Sequence, residues 1–186
     1  MSHRPVDPHA LNVRAFCADA QTLSGDLPLG AMARLSEGLF GAAAPQATVG
    51  WSVQGTLQPV AGEPEHWLHL QARTSVLLQC QRCLQQVQQD LAVDRRFRFV
   101  RTEEEAERLD EVSEDDVLVL GARLDLQELL EDELILALPI VPRHEGPCPA
   151  PLPMPVDDLE EEAPAPNPFA ALAALTALRT GRDGTK

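Results

Sequence analysis

The sequence predicts an α+β fold: an antiparallel sheet, barrel-like in one variant, with a few packed helices and a tethered C-terminal helix. Three observations carry this. Residues 47–100 alternate apolar and polar side chains at the period of strands. Residues 125–138 repeat leucines at the period of a helix, behind a capping aspartate. A proline- and acid-rich stretch over 149–166 then separates the rest from a short apolar segment at 167–180. The predicted organisation is a domain over 1–148, a linker over 149–166 and a terminal helix over 167–180.

The elements follow in order. LPLGAMARLSEGL (27–39) carries Leu27, Ala31, Leu35 and Leu39 at helical spacing and reads as an early helix. ATVGWSVQGTLQPV alternates Val49, Trp51 and Val53 with polar neighbours, and PVAGEPE reads as the turn after it. HWLHLQARTSVLLQC is apolar at Leu68, Leu70, Ala72, Val76 and Leu78, and VQQDLAVDRRFRFV at Leu91, Val93, Phe97 and Phe99. Antiparallel strands with one core-facing side explain these runs. TEEEAERLDEVSEDD (102–116) is a solvated helix or a loop, and VLVLGARLDL returns to apolar sequence. Asp125 and Glu128 suit a capping box, Leu126, Leu129, Leu130 and Leu134 form a stripe, and Pro139 ends the helix. In the terminal segment Asn167 and Pro168 suit a helix start, with Phe169, Leu172 and Leu175 on one side.

Composition narrows the function. The chain has 186 residues and a net charge of −14. Residues 1–100 hold eight acids and eight arginines, so the surplus of acid lies wholly in 101–186. Such a balance repels phosphate and attracts basic proteins. No apolar run reaches membrane-span length and the first residues lack an apolar signal segment, so a cytoplasmic location is expected. Four cysteines without an export signal argue against a disulfide framework.

The chemistry-bearing residues are two short-spaced pairs, Cys80-x2-Cys83 and His144-x3-Cys148. Together they supply the four nitrogen and sulfur ligands of one structural zinc ion. The other reading leaves Cys80 and Cys83 as reduced thiols on a sheet and turn, with His144 and Cys148 in a surface loop. A redox role fits less well, because the residues after Cys83 do not open the helix of a thioredoxin-like unit. Glu128, Glu131, Asp132 and Glu133 crowd one helix, and like charges at these spacings cost about 0.2–0.5 kcal/mol each. They form a candidate surface for a basic partner, or else a solvated helix face. Arg95, Arg96, Arg98 and Arg101 interleave with Phe97 and Phe99, which suits stacking on single-stranded RNA. Equally, the phenylalanines are core and the arginines pair with local acids. His66 and His69 read as exposed strand residues, and Cys17 as a small buried hydrophobe. No phosphate loop, nucleophile elbow or paired catalytic carboxylates occur in the sequence, so no enzymatic activity is expected.

Three segments together resemble the bacterial YceD family, the large ribosomal RNA subunit accumulation proteins. They are Leu78-Gln-Cys-Gln-Arg-Cys83, the run from Glu131 through His144 with Cys148, and Asn167-Pro-Phe-Ala-Ala-Leu-Ala-Ala-Leu175. The resemblance implies a non-catalytic role in the synthesis, processing or stability of 23S rRNA, hence in 50S subunit biogenesis. It brings in 23S rRNA or its precursor as a partner, and the acidic balance adds ribosomal or assembly proteins with basic surfaces. The alternative function is a direct RNA-binding module using the strand 95–101. Position 84 is Leu, where the family pattern suggests a small or polar residue.

Overall fold

The computed structural model describes residues 7–41, 47–60 and 63–150. The expected terminal helix (167–180) and nearly all of the expected linker lie outside the described residues.

Five strands form one open sheet in the order β1-β2-β3-β4-β5: β1 (Thr22–Pro28), β2 (Thr48–Val60), β3 (Glu63–Gln79), β4 (Gln86–Val100) and β5 (Asp116–Val119). The first four are antiparallel neighbours, and β5 runs parallel to β4 after a crossover through α3 (Glu103–Asp110). The fold is therefore α+β as expected, but the sheet is mixed and does not close into a barrel. The other helices are α1 (Val13–Ala18), α2 (Ala33–Glu37) and α4 (Leu126–Leu136).

Strand alternation explains the layering. Leu68, Leu70, Ala72, Val76 and Leu78 of β3 and Leu91, Val93, Phe97 and Phe99 of β4 all lie in one buried core. Burying each leucine, valine or phenylalanine among them is worth about 1.5–3 kcal/mol. Val13 and Phe16 of α1, Leu35 of α2, and Leu126, Leu130 and Leu134 of α4 close over that face. Phe16 lies so near β2 that a Cβ at Gly55 would stand 2.6 Å from its Cδ1. The other side of β3 and β4 carries polar residues, including His69, Gln71 and Asp94, joined by side-chain hydrogen bonds.

Residues 27–39 do not form one helix. Leu27 and Pro28 finish β1, a single 3-10 turn spans Leu29–Ala31, and α2 covers only Ala33–Glu37. Pro28 cannot donate the hydrogen bond a helix interior needs, and Leu27 pairs with Val49 of β2 instead. The acidic stretch forms α3, with the Thr102 hydroxyl accepting from the Glu105 N–H. At α4 the Asp125 carboxylate accepts from the N–H groups of Gln127 and Glu128 at 2.9 and 3.1 Å. Among the described residues no helix is long and apolar enough to cross a membrane.

Candidate metal centre

The antiparallel hairpin of β3 and β4 brings the cysteine pair to its tip. Cys80 directly follows β3 and Cys83 lies in the turn before β4. The turn is closed by the Leu84 N–H donating to the Cys80 carbonyl at 2.9 Å, and by the Cys80 N–H donating to the Gln85 carbonyl at 2.8 Å. Leu84 takes φ +59°, in the left-handed region that glycine adopts without strain. Its side chain is exposed.

Helix α4 runs on the core face and delivers the second pair. Beyond it the chain passes the knuckle, where the Gln81 N–H donates to the Pro142 carbonyl at 2.9 Å. The Arg82 guanidinium donates to the carbonyls of His144 and Gly146. Cys80 Sγ then lies 3.9 Å from Cys148 Sγ, and Cys83 Sγ 3.7 Å from His144 Nδ1. All four ligand atoms fall within 4.8 Å of one another. Four ligands at about 2.3 Å from a tetrahedral ion stand about 3.8 Å apart, so the set has room for one ion at its centre. His144 Nε2 faces the Gln86 carbonyl at 3.2 Å. Donating there holds the ring with Nδ1 free to bind, the outer-shell arrangement typical of metal-ligating histidines.

The cluster is electrostatically asymmetric. Burial raises the Cys80 pKa, but N–H groups of Arg82, His144 and Cys83, with the Cys83 side chain, overcome it and bring the thiol down to about 5. The Cys148 thiol is pushed up to about 11 by burial and by its cysteine neighbours. A second thiolate beside the first is unfavourable unless a cation lies between them. All four cysteines of the chain are free thiols.

The acidic cluster on α4 divides. Glu131 and Glu133 are 9% and 7% exposed. Glu131 accepts from the Leu35 N–H at 3.1 Å and from Nε and Nη2 of Arg34 at 3.2 Å each. Glu133 pairs with Arg95 Nε at 3.3 Å, and burial raises its pKa above the usual carboxylate value against the pull of Arg95. These two acids are therefore held inside the fold, a correction to the expectation of four outward-facing acids. Asp132 also meets Arg34, and Glu128 is exposed.

The arginine-rich strand divides as its alternation predicts. Arg95 turns toward α4, while Arg96 and Arg98 lie over the Trp67 ring at 4.9 and 5.9 Å from its centroid. Arg96 stands 3.7 Å from Asp115, and Arg98 pairs with Glu65 at 2.6 Å. The Arg101 N–H donates to Glu105 at 3.3 Å. Phe97 and Phe99 are core residues, so the aromatic beside these arginines is Trp67 rather than either phenylalanine.

Two contributors escaped the sequence reading. Arg82 lies within the knuckle itself, where its position was a usable signal. Arg34 reaches Glu131 across 97 positions, which no local pattern reveals.

Comparison with known proteins places this architecture. No solved structure matches the chain. A relative from Haemophilus influenzae, the large ribosomal RNA subunit accumulation protein YceD, is 38% identical over 101 residues. The match covers 53% of this chain and 58% of that protein. The profile of the family described as "Large ribosomal RNA subunit accumulation protein YceD" matches residues 68–176, from mid-β3 through the knuckle and beyond Cys148. By that match over more than half its length, the chain belongs to the YceD family.

Proposed function

We propose that this chain is a non-catalytic cytoplasmic factor of large-subunit biogenesis that supports the synthesis, processing or stability of 23S rRNA by binding an assembly protein. The observation that carries this reading is a set of exposed apolar residues on the segments that lead into and form the cysteine–histidine cluster. Leu136 is 70%, Ile140 100%, Val141 54% and Leu84 46% exposed. They lie on two segments joined by the Gln81–Pro142 hydrogen bond. Where such residues gather into one patch they mark an interaction site. The name of the Haemophilus relative supplies the ribosomal context. Glu128 and Asp132 add negative charge nearby and favour a partner with a basic rim.

In this reading Cys80, Cys83, His144 and Cys148 hold one structural zinc ion. Four protein ligands leave no open position for substrate, which supports a structural rather than catalytic site. Native mass spectrometry of protein purified without chelators is expected to show one zinc per chain, absent in Cys80→Ser and Cys148→Ser. Metal-free wild type would reject the assignment.

Affinity capture from cells with the tagged chain tests the function. Ile140→Ser with Val141→Ser is expected to fold normally, release the captured assembly protein and lower 23S relative to 16S rRNA. Normal capture and rRNA in a folded double variant would sink the proposal. Direct RNA contact through residues 95–101 is the second reading, favoured by the two guanidiniums over Trp67. It requires RNA binding with a steep salt slope that Arg96→Ala reduces.

A further inference from the structure

At the end of the β3–β4 hairpin opposite the knuckle, a cavity of about 390 Å³ opens between α1, the two strand ends and α3. Its lining carries Arg14, Arg98, Arg101, Arg108 and His66, against two acids, Glu65 and Glu105. In a chain of net charge −14, a cavity with this balance is out of keeping with the rest of the sequence. We infer that this cavity is a binding site for a small phosphate-bearing ligand the size of a mononucleotide.

The pairing of the charges supports the inference. Glu65 is engaged by the Arg98 guanidinium, and Glu105 accepts from the backbone N–H of Arg101 at 3.3 Å, which fixes its carboxylate in place. Arg14 and Arg108 form no ion pair among the described residues. Two guanidiniums outside any ion pair, one from α1 and one from α3, line the same cavity and offer forked donors to one anion. The positive field is felt within the cavity: burial and then Arg14 and Arg101 lower the pKa of His66.

Size and lining narrow the ligand. The volume falls within the range of small-molecule sites. Phe99, Leu109 and Leu120 supply apolar lining beside the arginines, which suits a ligand with a flat ring as well as a phosphate. A long polyanion is disfavoured. Glu103, Glu104 and Glu107 lie on α3 around Arg108 and would repel phosphates extending beyond the cavity.

The test is calorimetric titration of the full chain with adenosine and guanosine monophosphates, inorganic phosphate and a single-stranded RNA decamer. One mononucleotide is expected to bind per chain, and inorganic phosphate more weakly for want of a ring. Arg14→Ala and Arg108→Ala are each expected to weaken binding ten-fold or more. Arg73→Ala, an exposed arginine on the outer side of β3, serves as control and should change it less than two-fold. All three variants should match the wild type by circular dichroism and melting temperature, since each side chain is exposed. No saturable mononucleotide binding, or binding insensitive to Arg14 and Arg108, overturns the inference. So does a decamer that binds more tightly than any mononucleotide and loses affinity in the same variants, since the site would then serve a polymer.

Discussion

Replacing Glu131 with alanine should destabilise the fold by about 2–3 kcal/mol, because the buried Leu35 N–H would lose its acceptor. An unsatisfied buried donor costs about 1–3 kcal/mol, and the loss of packed methylenes adds to it. The Arg34 guanidinium, half exposed, keeps Asp132 and water and adds little. For a domain near 150 residues each kcal/mol moves the melting temperature by about 2–4 °C, so a fall of about 5–10 °C is expected. Glu131→Gln retains an acceptor for Leu35 and should lose about half as much. Glu128→Ala, exposed on the same helix, should stay within about 0.5 kcal/mol. Urea unfolding followed by Trp51 and Trp67 fluorescence and by circular dichroism measures all three. Equal stability of the Glu131→Ala and Glu128→Ala proteins would refute the division of the acidic cluster into internal and surface members.

Other positions make independent tests. Gly55→Ala forces a Cβ against Phe16 Cδ1 at 2.6 Å and its carbonyl oxygen at 3.0 Å; a loss of about 1–3 kcal/mol is expected in the same unfolding assay. Leu84→Gly should stabilise the protein by up to about 1 kcal/mol, since a leucine at φ +59° bears the strain glycine avoids. Unchanged or lower stability would show that the Leu84 side chain contributes contacts outweighing that strain. The Asp94 pKa is lowered by hydrogen bonds from His69 and then Gln71. The carboxylate therefore adds stability at neutral pH that is lost as pH falls through its depressed pKa, starting below about pH 4. Asp94→Asn should melt lower than wild type at pH 7, and the gap should close on acidification toward pH 3.

The parts legible in the sequence are those whose cause is local. Strands β2 to β4 have one buried and one polar side, so alternation marked them. The α4 helix carries its own cap at Asp125. Strand β1 was not legible because TLSGDLP offers only Leu23 and Leu27 to the core, and its Pro28 and Gly25 read as turn signals. It exists because β2 supplies the hydrogen-bonding edge. The same reason hid the roles of the acids: Glu131 and Glu133 look solvated on a helical wheel until Arg34 and Arg95 arrive from other elements. The cysteine and histidine spacings suggested two half-sites. Their meeting depends on the core-facing path of α4, which the leucine stripe set but whose end point no pattern gave.

The segment from Pro139 to Cys148 shows why the cluster matters to the proposed surface. Its ten residues form no helix or strand, and Ile140 is fully exposed. Fixing them costs about 1–2 kcal/mol each, so about 10–20 kcal/mol in all. The hydrogen bonds that tie them down run from Gln81 and Arg82, and from His144 to Gln86. At about 1 kcal/mol for each neutral bond and about 1.5–3 for each from the charged guanidinium, these four supply only about 5–8 kcal/mol. A structural zinc ion contributes about 10–16 kcal/mol in small metal-folded domains, which closes the difference. On the proposed reading the ion is thus what holds Ile140 and Val141 in place. Chelation should release the captured partner at a temperature where the β-sheet circular dichroism is unchanged. Partner retention by chelated, metal-free protein would separate the surface from the metal and leave the hydrogen bonds from Gln81, Arg82 and His144 as sufficient to order the segment.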